Sequence, residues 1–243
     1  MALASPLEQF VIKPLIPLHV GGVDISFSQS ALWMGISVLL ITLLMTLSVR
    51  SKALVPGRWQ NVSEMLYEFI FGMVNDNLGD ESKKYFPFVF SVYMIVLMGN
   101  LLGMVPYSFT YTSHIIVTGA LALAVFILAT GVGIVRHGLH FFSLFLPKGL
   151  PWALMPLIVV IEIISYLSRP ISLSVRLFAN MVAGHTMLKV FAGFSVMLGV
   201  VLGVLPMVVN VALYGLEIMI AFIQAYVFAI LACIYLKDAI ELH

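Results

Sequence analysis

The chain has 243 residues, of which 62% are apolar and only 9% are charged, and its formal net charge is +1. A soluble domain normally carries about a quarter charged residues, so these few charges could not solvate its surface, whereas a lipid-facing surface requires apolar contact. The near-neutral charge and the lack of a Lys/Arg-rich run exclude a nucleic-acid-binding protein. The single cysteine, Cys233, excludes an internal disulfide and a multi-cysteine metal site.

The N-terminal segment, residues 1–30, precedes the first apolar run. It contains Glu8, Lys13 and three prolines and lacks the basic start and apolar core of a signal peptide, so we expect it to remain in the mature chain. The run 31–49 is about 19 residues long, which is enough to cross the hydrocarbon core of a membrane. Arg50 and two further basic residues follow it. Because basic residues mark the cytoplasmic side, residues 1–30 are predicted to lie outside.

A different pattern occupies residues 61–74, where apolar side chains recur at helical spacing with polar side chains between them. This pattern predicts an amphipathic helix that lies along the membrane surface or against another helix. The sequence Asn-Asp-Asn-Leu-Gly-Asp at 75–80 predicts the turn that ends this helix.

Two further apolar runs, 86–105 and 115–135, predict the second and third membrane spans. We expect the second span to be broken near Asn100 and Gly103 and closed by Pro106. The connection between the two runs contains no Lys or Arg, as expected outside, whereas basic residues follow the third span. The charge pattern therefore alternates as the positive-inside rule requires.

From residue 152 to residue 194 the chain is almost continuously apolar. A helix of that length measures roughly 65 Å, about twice the ~30 Å hydrocarbon thickness, so it must be broken or strongly tilted. Pro170 and Gly184 are the places where it could bend. Residues 199–236 repeat the pattern. The predicted fold is therefore an all-α integral membrane domain with about five membrane-inserted helices and one amphipathic surface helix, the last two forming a long tilted hairpin.

Charged residues follow one face of the first long helix. Glu162, Arg169 and Arg176 are seven residues apart, so they share a stripe, and Asn180 lies one turn after Arg176. A guanidinium in hydrocarbon costs from ~3 to more than ~10 kcal/mol, and arginine cannot escape by losing its proton. Arg169 could pair structurally with a carboxylate or reach an interface. Arg176 is a functional candidate whose anion could lie on another subunit.

The second long helix carries a polar stripe within an apolar sequence. Asn210, Glu217 and Gln224 are again seven residues apart, and Tyr214 follows Asn210 by one turn. Such a line of hydrogen-bonding groups suits a proton or ion path. Asn and Gln could instead join helices. His185 titrates near neutral pH, so it and Glu217 are predicted to handle protons together. A zinc site is the less favoured alternative, because only two ligands are present.

Three motifs resemble one known family. They are SLSVRLFANMVAGH at 172–185, IQAYVF at 223–228 and NLLGMVPYSFT at 100–110. Together they are similar to signatures of subunit a of the F-type ATP synthase membrane sector, and the similarity covers most of the chain after residue 59. The resemblance implies that Arg176 faces the rotating ring of c subunits, with Gln224 and Asn180 beside it.

The resemblance also implies two proton half-channels. Glu162 would line the half-channel to the inside, and His185 and Glu217 would line the one from the outside. In many bacterial members the acid and the histidine are exchanged, so this arrangement is similar to the mitochondrial and alphaproteobacterial type, with Glu217 in the acidic role. The pair favours H⁺ over Na⁺ as the transported ion.

The same resemblance implies the partners and the location. The partners would be the c ring, the peripheral stalk subunit b, the rest of the F1Fo ATP synthase and membrane lipid, with no cofactor. The location would be a bacterial plasma membrane, with the N-terminus outside and the C-terminus cytoplasmic, or alternatively the mitochondrial inner membrane.

Two other classes of protein remain as alternatives. An ion-coupled secondary transporter usually shows internal repeats, and none relates the first three spans to the last hairpin. An intramembrane serine hydrolase could use Ser165, Ser168 and His185, but no GxSxG segment accompanies them. No Gly-rich phosphate-binding loop is present, so no catalytic site for ATP is expected in this chain.

Overall fold

The structure is a computed structural model that describes residues 9–17, 19–20, 23–24, 26–49, 57–105, 108–145 and 155–241. Its helices are α1 (Gln29–Val49), α2 (Arg58–Leu78), α3 (Ser82–Gly103), α4 (Ile115–His137), α5 (Met155–Met197), α6 (Gly199–Leu202) and α7 (Val204–Ile240). Within these described residues, five helical stretches are long and apolar enough to cross a membrane, with α2 and α3 counted as one. The predicted all-α membrane fold is therefore confirmed.

Before α1, four short strands form two antiparallel ribbons. They are β1 (Pro14–Ile16), β2 (His19–Val20), β3 (Val23–Asp24) and β4 (Phe27–Ser28). β1 pairs with β4, and β2 pairs with β3 between them. The backbone amide of Gln29 donates to the carbonyl of Lys13, so the outer ribbon leads directly into α1.

The amphipathic helix α2 is longer than its sequence pattern indicated. Ile70, Met73 and Val74 are buried against neighbouring helices, while most of its polar side chains are exposed. The turn predicted at 75–80 is wrong in its first half, because α2 continues through Asn77, whose side-chain amide donates to the carbonyl of Met73 at 2.7 Å. The helix ends at Gly79, which adopts a φ of 53° that disfavours other residues.

The break predicted in the second span near Asn100 is wrong, because α3 is uninterrupted to Gly103. Asn100 is fully buried, and its side-chain amide lies 3.4 Å from the carbonyl of Ala221 on α7, so it packs between helices without interrupting one. Gly99 lets the 3₁₀ turn Tyr111–Ser113 approach, because a Cβ there would lie 2.5 Å from the Tyr111 hydroxyl. Pro106 lies outside the described residues.

The core is formed where α3, α4, α5 and α7 pack against one another. On α7 a row of small residues, spaced three or four apart, is fully buried: Ala221, Ala225, Ala229 and Ala232. Small side chains let helix backbones approach closely, which is how helices associate where water supplies no driving force. The remaining surfaces of the long helices are rich in exposed Leu, Ile, Val and Phe, as lipid contact requires.

The helices α5 and α7 form the hairpin that carries the polar stripes. α5 runs unbroken through Pro170 and Gly184, so neither residue interrupts it. Before α7, Gly203 packs so closely on the carbonyls of Ser195 and Gly199 that no Cβ would fit, and Gly199 has a φ of 73°. We call this turn the hairpin end of the bundle, and the opposite end, with Ile240, the carboxyl end.

Candidate functional site

The helices α5 and α7 pack against each other in antiparallel directions, and polar side chains of the two helices meet at two places. His185 meets Glu217 toward the hairpin end, and Arg169 meets Asp238 toward the carboxyl end. Arg176 lies between these two pairs on α5. At 1.5 Å per residue, it is about 14 Å along the helix from His185 and about 10 Å from Arg169.

Glu217 is the most deeply buried acid of the site. Its side chain is 3% exposed, and neither carboxyl oxygen accepts a hydrogen bond from another described residue. His185 Nδ1 lies 3.4 Å from Glu217 Oε1. The approach depends on Gly184, because a Cβ there would lie 2.6 Å from the same oxygen. The two groups are thus close enough to exchange a proton after a small movement.

The other ring nitrogen of His185 contacts the segment that follows α3. His185 Nε2 lies 3.1 Å from the hydroxyl of Thr110, and that hydroxyl donates to the carbonyl of Gly103 at 3.1 Å. Farther along the segment, burial lowers the pKa of His114, whose ring stacks on Phe109. This lowered pKa favours the neutral form of the His114 ring.

A cavity of about 500 Å³ leads to His185 at the hairpin end. Its walls are formed by the N-terminal segment, the end of α3, the segment after α3, and helices α5 and α7. The lining residues are Gln9, Phe10, Gly103, Met104, Val105, Ser108, Thr110, His185, Leu188, Lys189, Ala192 and Asn210. The side-chain oxygen of Asn210 is buried there without a hydrogen-bond partner among the described residues. The cavity is large enough for several water molecules that could hydrogen-bond this oxygen and His185.

Arg176 lies on an exposed face at the midpoint of α5 and makes no ion pair or hydrogen bond with a described residue. Asn180 is half-buried one turn farther along α5. Gln224, also half-buried, lies seven residues beyond Glu217 on α7. Gln224 lies about 10 Å along α7 from Glu217, and Arg176 lies about 14 Å along α5 from His185. Because Glu217 and His185 are in contact, Gln224 and Arg176 lie at similar heights in the bundle.

The carboxyl end holds a different kind of cluster. Arg169 Nη1 bonds Asp238 Oδ2 at 2.8 Å, and its guanidinium lies 5.4 Å from the Tyr166 ring and 5.3 Å from the Tyr235 ring. Arg169 is thus satisfied by a carboxylate and two aromatic faces. Glu162 is half-buried two turns before Arg169 on α5, with no ion pair among the described residues.

Comparison with known proteins decides the family. A family model described as ATP synthase A chain matches residues 31–237. The chain is 57% identical to ATP synthase subunit a of Paramagnetospirillum magneticum over 99% of this chain and 100% of that protein. It is 55% identical to the subunit of Rhodospirillum rubrum over 98% and 99%, and 54% identical to that of Pelagibacter ubique over 98% of both chains. The chain belongs to the ATP synthase A chain family.

In this member of the ATP synthase A chain family, the structure gathers some of the residues singled out by sequence and separates others. His185, Glu217 and Asn210 lie together at the hairpin end. Tyr214 instead donates its hydroxyl to the carbonyl of Met104 at 3.2 Å, which ties α7 to the end of α3. The hydroxyl of Ser168 donates to the backbone carbonyl of Ser165 in the same helix. Ser168 lies about 25 Å along α5 from His185, too far for the histidine to activate its hydroxyl, which excludes the serine hydrolase alternative.

Three residues of the site make contacts that the sequence did not predict. Thr110 lies inside a recognised motif, but nothing in its spacing indicates that it contacts His185, 75 positions later. Asp238 lies three heptads after Glu217 on the second long helix, but nothing in the sequence indicates that it meets Arg169. Gly184 was considered as a bend, whereas its actual role is to admit the carboxyl group of Glu217.

Proposed function

We propose that this chain is the stator subunit a of an F-type ATP synthase, with two offset proton half-channels separated by Arg176, which faces the rotating c ring. The complex would lie in a bacterial plasma membrane, with the N-terminus outside and the C-terminus cytoplasmic. Its further partners would be subunit b of the peripheral stalk and the remaining subunits of the F1Fo complex. Family membership and the bacterial relatives support this assignment.

The observation that carries the proposal is the position of Arg176. It is an exposed cation at the middle of a long apolar helix, without an anion among the described residues. A permanent charge at that depth is costly unless a counter-ion meets it. A carboxylate on a neighbouring ring subunit would supply this counter-ion. That subunit would have to contact the face of α5 on which Arg176 is exposed.

The two flanking clusters support separate proton paths. Toward the hairpin end, the cavity leads to His185 and then to the buried Glu217. Toward the carboxyl end, Glu162 is half-buried and available to water near the Arg169–Asp238 pair. In the proposed cycle, protons reach the ring carboxylate through the first path, and the neutral acid crosses lipid as the ring turns. The acid releases its proton into the second path.

Arg176 would have two tasks in this cycle. It favours the ionised form of the ring carboxylate that has just lost its proton, because opposite charges attract strongly in apolar surroundings. It also repels any proton that would cross directly from one path to the other without turning the ring. The transmembrane potential supplies about 2.3 kcal/mol per proton per 100 mV, so several protons would be combined for each ATP.

Replacing Arg176 by Ala tests the proposal. In the whole ATP synthase reconstituted into liposomes, we expect ATP-driven proton pumping to fall at least ~100-fold, because the counter-charge is lost. Passive proton leak through the membrane sector should persist. The control is Arg136→Ala, which removes an exposed guanidinium paired with Glu81 at 2.9 Å and should pump at nearly the wild-type rate. Normal coupled pumping by the Arg176→Ala complex would overturn the proposal.

A further inference from the structure

The hydrogen-bond chain from Gly103 through Thr110 to His185 has a fixed direction. The last turn of a helix leaves its carbonyls without intrahelical amide donors, and Gly103 is the final residue of α3. Thr110 supplies its hydroxyl hydrogen to that carbonyl at 3.1 Å. A hydroxyl has only one hydrogen, so the Thr110 oxygen can meet His185 Nε2, at 3.1 Å, only as an acceptor.

This direction decides which tautomer of His185 is present. Because the Thr110 oxygen accepts, His185 Nε2 must carry a hydrogen. In the neutral ring the other nitrogen, Nδ1, then has a free lone pair, and this is the nitrogen that lies 3.4 Å from Glu217 Oε1. We propose that Thr110 is a positioning residue that holds His185 in the Nε2–H tautomer, so that Nδ1 is the proton-carrying atom toward Glu217. This inference rests on the proposed function.

The tautomer matters for the transfer step. A hydronium ion that enters the cavity gives its proton to the Nδ1 lone pair and becomes water, and His185 becomes an imidazolium with hydrogens on both nitrogens. The Nδ1–H bond then breaks as an O–H bond forms at Oε1 of ionised Glu217, and His185 returns to the neutral Nε2–H form. Charge and protons balance, and the ring needs no flip between cycles. In the opposite tautomer the basic nitrogen would face Thr110, away from the acid.

Thr110 is held for this task by its neighbours. The Ser113 hydroxyl and backbone amide both donate to the Thr110 carbonyl, at 2.5 and 3.2 Å. Gly103 lets the side chain approach, because a Cβ there would lie 2.5 Å from both the hydroxyl oxygen and the methyl carbon of Thr110. Thr110 as a whole residue is 7% exposed, so water competes little for these hydrogen bonds.

The other groups around His185 do not impose the same tautomer. Lys189, one turn later on α5, is a cation that lines the cavity, and Asn210 lines it from α7. The centre of the Phe10 ring lies 6.5 Å from the centre of the His185 ring, in an edge-to-face arrangement. Glu217 favours the opposite arrangement when ionised, since its carboxylate would accept a hydrogen from Nδ1. Removal of the Thr110 hydroxyl should therefore shift His185 toward Nδ1–H.

The test compares Thr110→Val, which keeps the shape and removes the hydroxyl, with Thr110→Ser, which restores it. Thr112→Val is a matched control, because Thr112 lies on the same segment, is fully buried, and its hydroxyl has no hydrogen-bond partner among the described residues. Each variant is prepared as the whole ATP synthase with ¹⁵N-labelled histidine. The His185 signals in solid-state ¹⁵N spectra are those that disappear in His185→Gln.

We expect protonated Nε2 and unprotonated Nδ1 in the wild type, in Thr110→Ser and in Thr112→Val. Thr110→Val should move a substantial fraction of the signal to protonated Nδ1, and its ATP-driven pumping should fall roughly three- to tenfold. An unchanged tautomer in Thr110→Val, or a Thr110→Ser variant that fails to restore it, would overturn the inference. The spectra are independent of the Arg176→Ala result, so failure of the proposed function would be recognised separately.

Discussion

At the scale of single residues, two carboxyl groups on α7 have opposite surroundings. Asp238 is bonded to the Arg169 guanidinium at 2.8 Å and remains partly exposed, so it has both an ion-pair partner and access to solvent. Glu217 is buried, and no described residue donates a hydrogen bond to it. A carboxylate without donors is costly in apolar surroundings, so Glu217 is suited to binding and releasing a proton in preference to holding a fixed charge.

Replacing Glu217 by Gln should therefore slow proton transport without unfolding the helix pair. The amide has nearly the same shape but cannot bind and release a proton, so we expect proton-driven ATP synthesis to fall at least about tenfold. The measurement is the rate in reconstituted liposomes between about pH 6 and about pH 9, a range that spans the ordinary titration of histidine.

The control for this prediction is Glu64→Gln on α2. Glu64 is exposed, and among the described residues only Gln60 donates a side-chain hydrogen bond to it, at 2.8 Å, so its replacement should leave the rate unchanged. If the Glu217→Gln complex ran at the wild-type rate across the whole pH range, Glu217 would have no part in carrying protons.

The two arginines of α5 differ at the same scale. Arg169 contacts Asp238 and two tyrosine rings within the chain. Of the two possibilities that the sequence allowed, an ion pair with a carboxylate or a position at an interface, the structure shows the ion pair. Arg176 has no such partner among the described residues. Equal spacing along one helix face therefore does not mean equal roles, because the neighbouring helix offers an acid at one position and none at the other.

At the scale of elements, the hairpin of α5 and α7 is held together by small residues. The buried alanines of α7 bring the helices close along the carboxyl half, and Gly184 of α5 brings them close at Glu217. At Gly184 this close approach leaves space for the carboxyl group of Glu217 beside His185. Helix packing thus sets the geometry of the His185–Glu217 pair.

Gly184→Ala tests this link between packing and transport. The added Cβ would lie 2.6 Å from Glu217 Oε1, so the carboxyl group must move away from His185. We expect coupled proton transport to fall about tenfold to ~100-fold, because a displacement of about 1 Å can cost that much. The amount of assembled complex should be maintained, since alanine favours helix more than glycine does.

The matched variant is Gly131→Ala on α4, where an added Cβ meets no atom within 4 Å. It makes the same chemical change inside a helix and should leave transport at the wild-type rate. Equal rates for the two alanine variants would show that the Glu217 side chain does not need the space beside Gly184.

At the scale of the whole molecule, the sequence was sufficient to predict the class of fold, whereas the roles of the predicted site residues stay predictions. Apolar run lengths located the long helices because the membrane thickness sets them. The break expected at Asn100 failed because a local polar signal cannot show that α7 supplies a carbonyl to it. Thr110 and Asp238 were missed for the same reason, since each acts on a partner more than 60 positions away.

The two ends of the bundle should also face opposite sides of the membrane. Lys189 lines the cavity at the hairpin end, and Lys237 is exposed at the carboxyl end. In a Cys233→Ser background, which removes the single native cysteine, Lys189→Cys and Lys237→Cys can each be labelled with a membrane-impermeant thiol reagent. We expect Lys189→Cys to react from outside right-side-out vesicles and Lys237→Cys only in inverted vesicles.

This labelling pattern follows from the distribution of basic residues, because Arg136 and Lys237 both lie at the carboxyl end and basic residues are retained on the cytoplasmic side. Reaction of both cysteines from the same side would contradict the arrangement of two half-channels that open on opposite faces. The reverse pattern would keep the two paths but invert the membrane orientation, so the cavity that leads to His185 would receive protons from the cytoplasm.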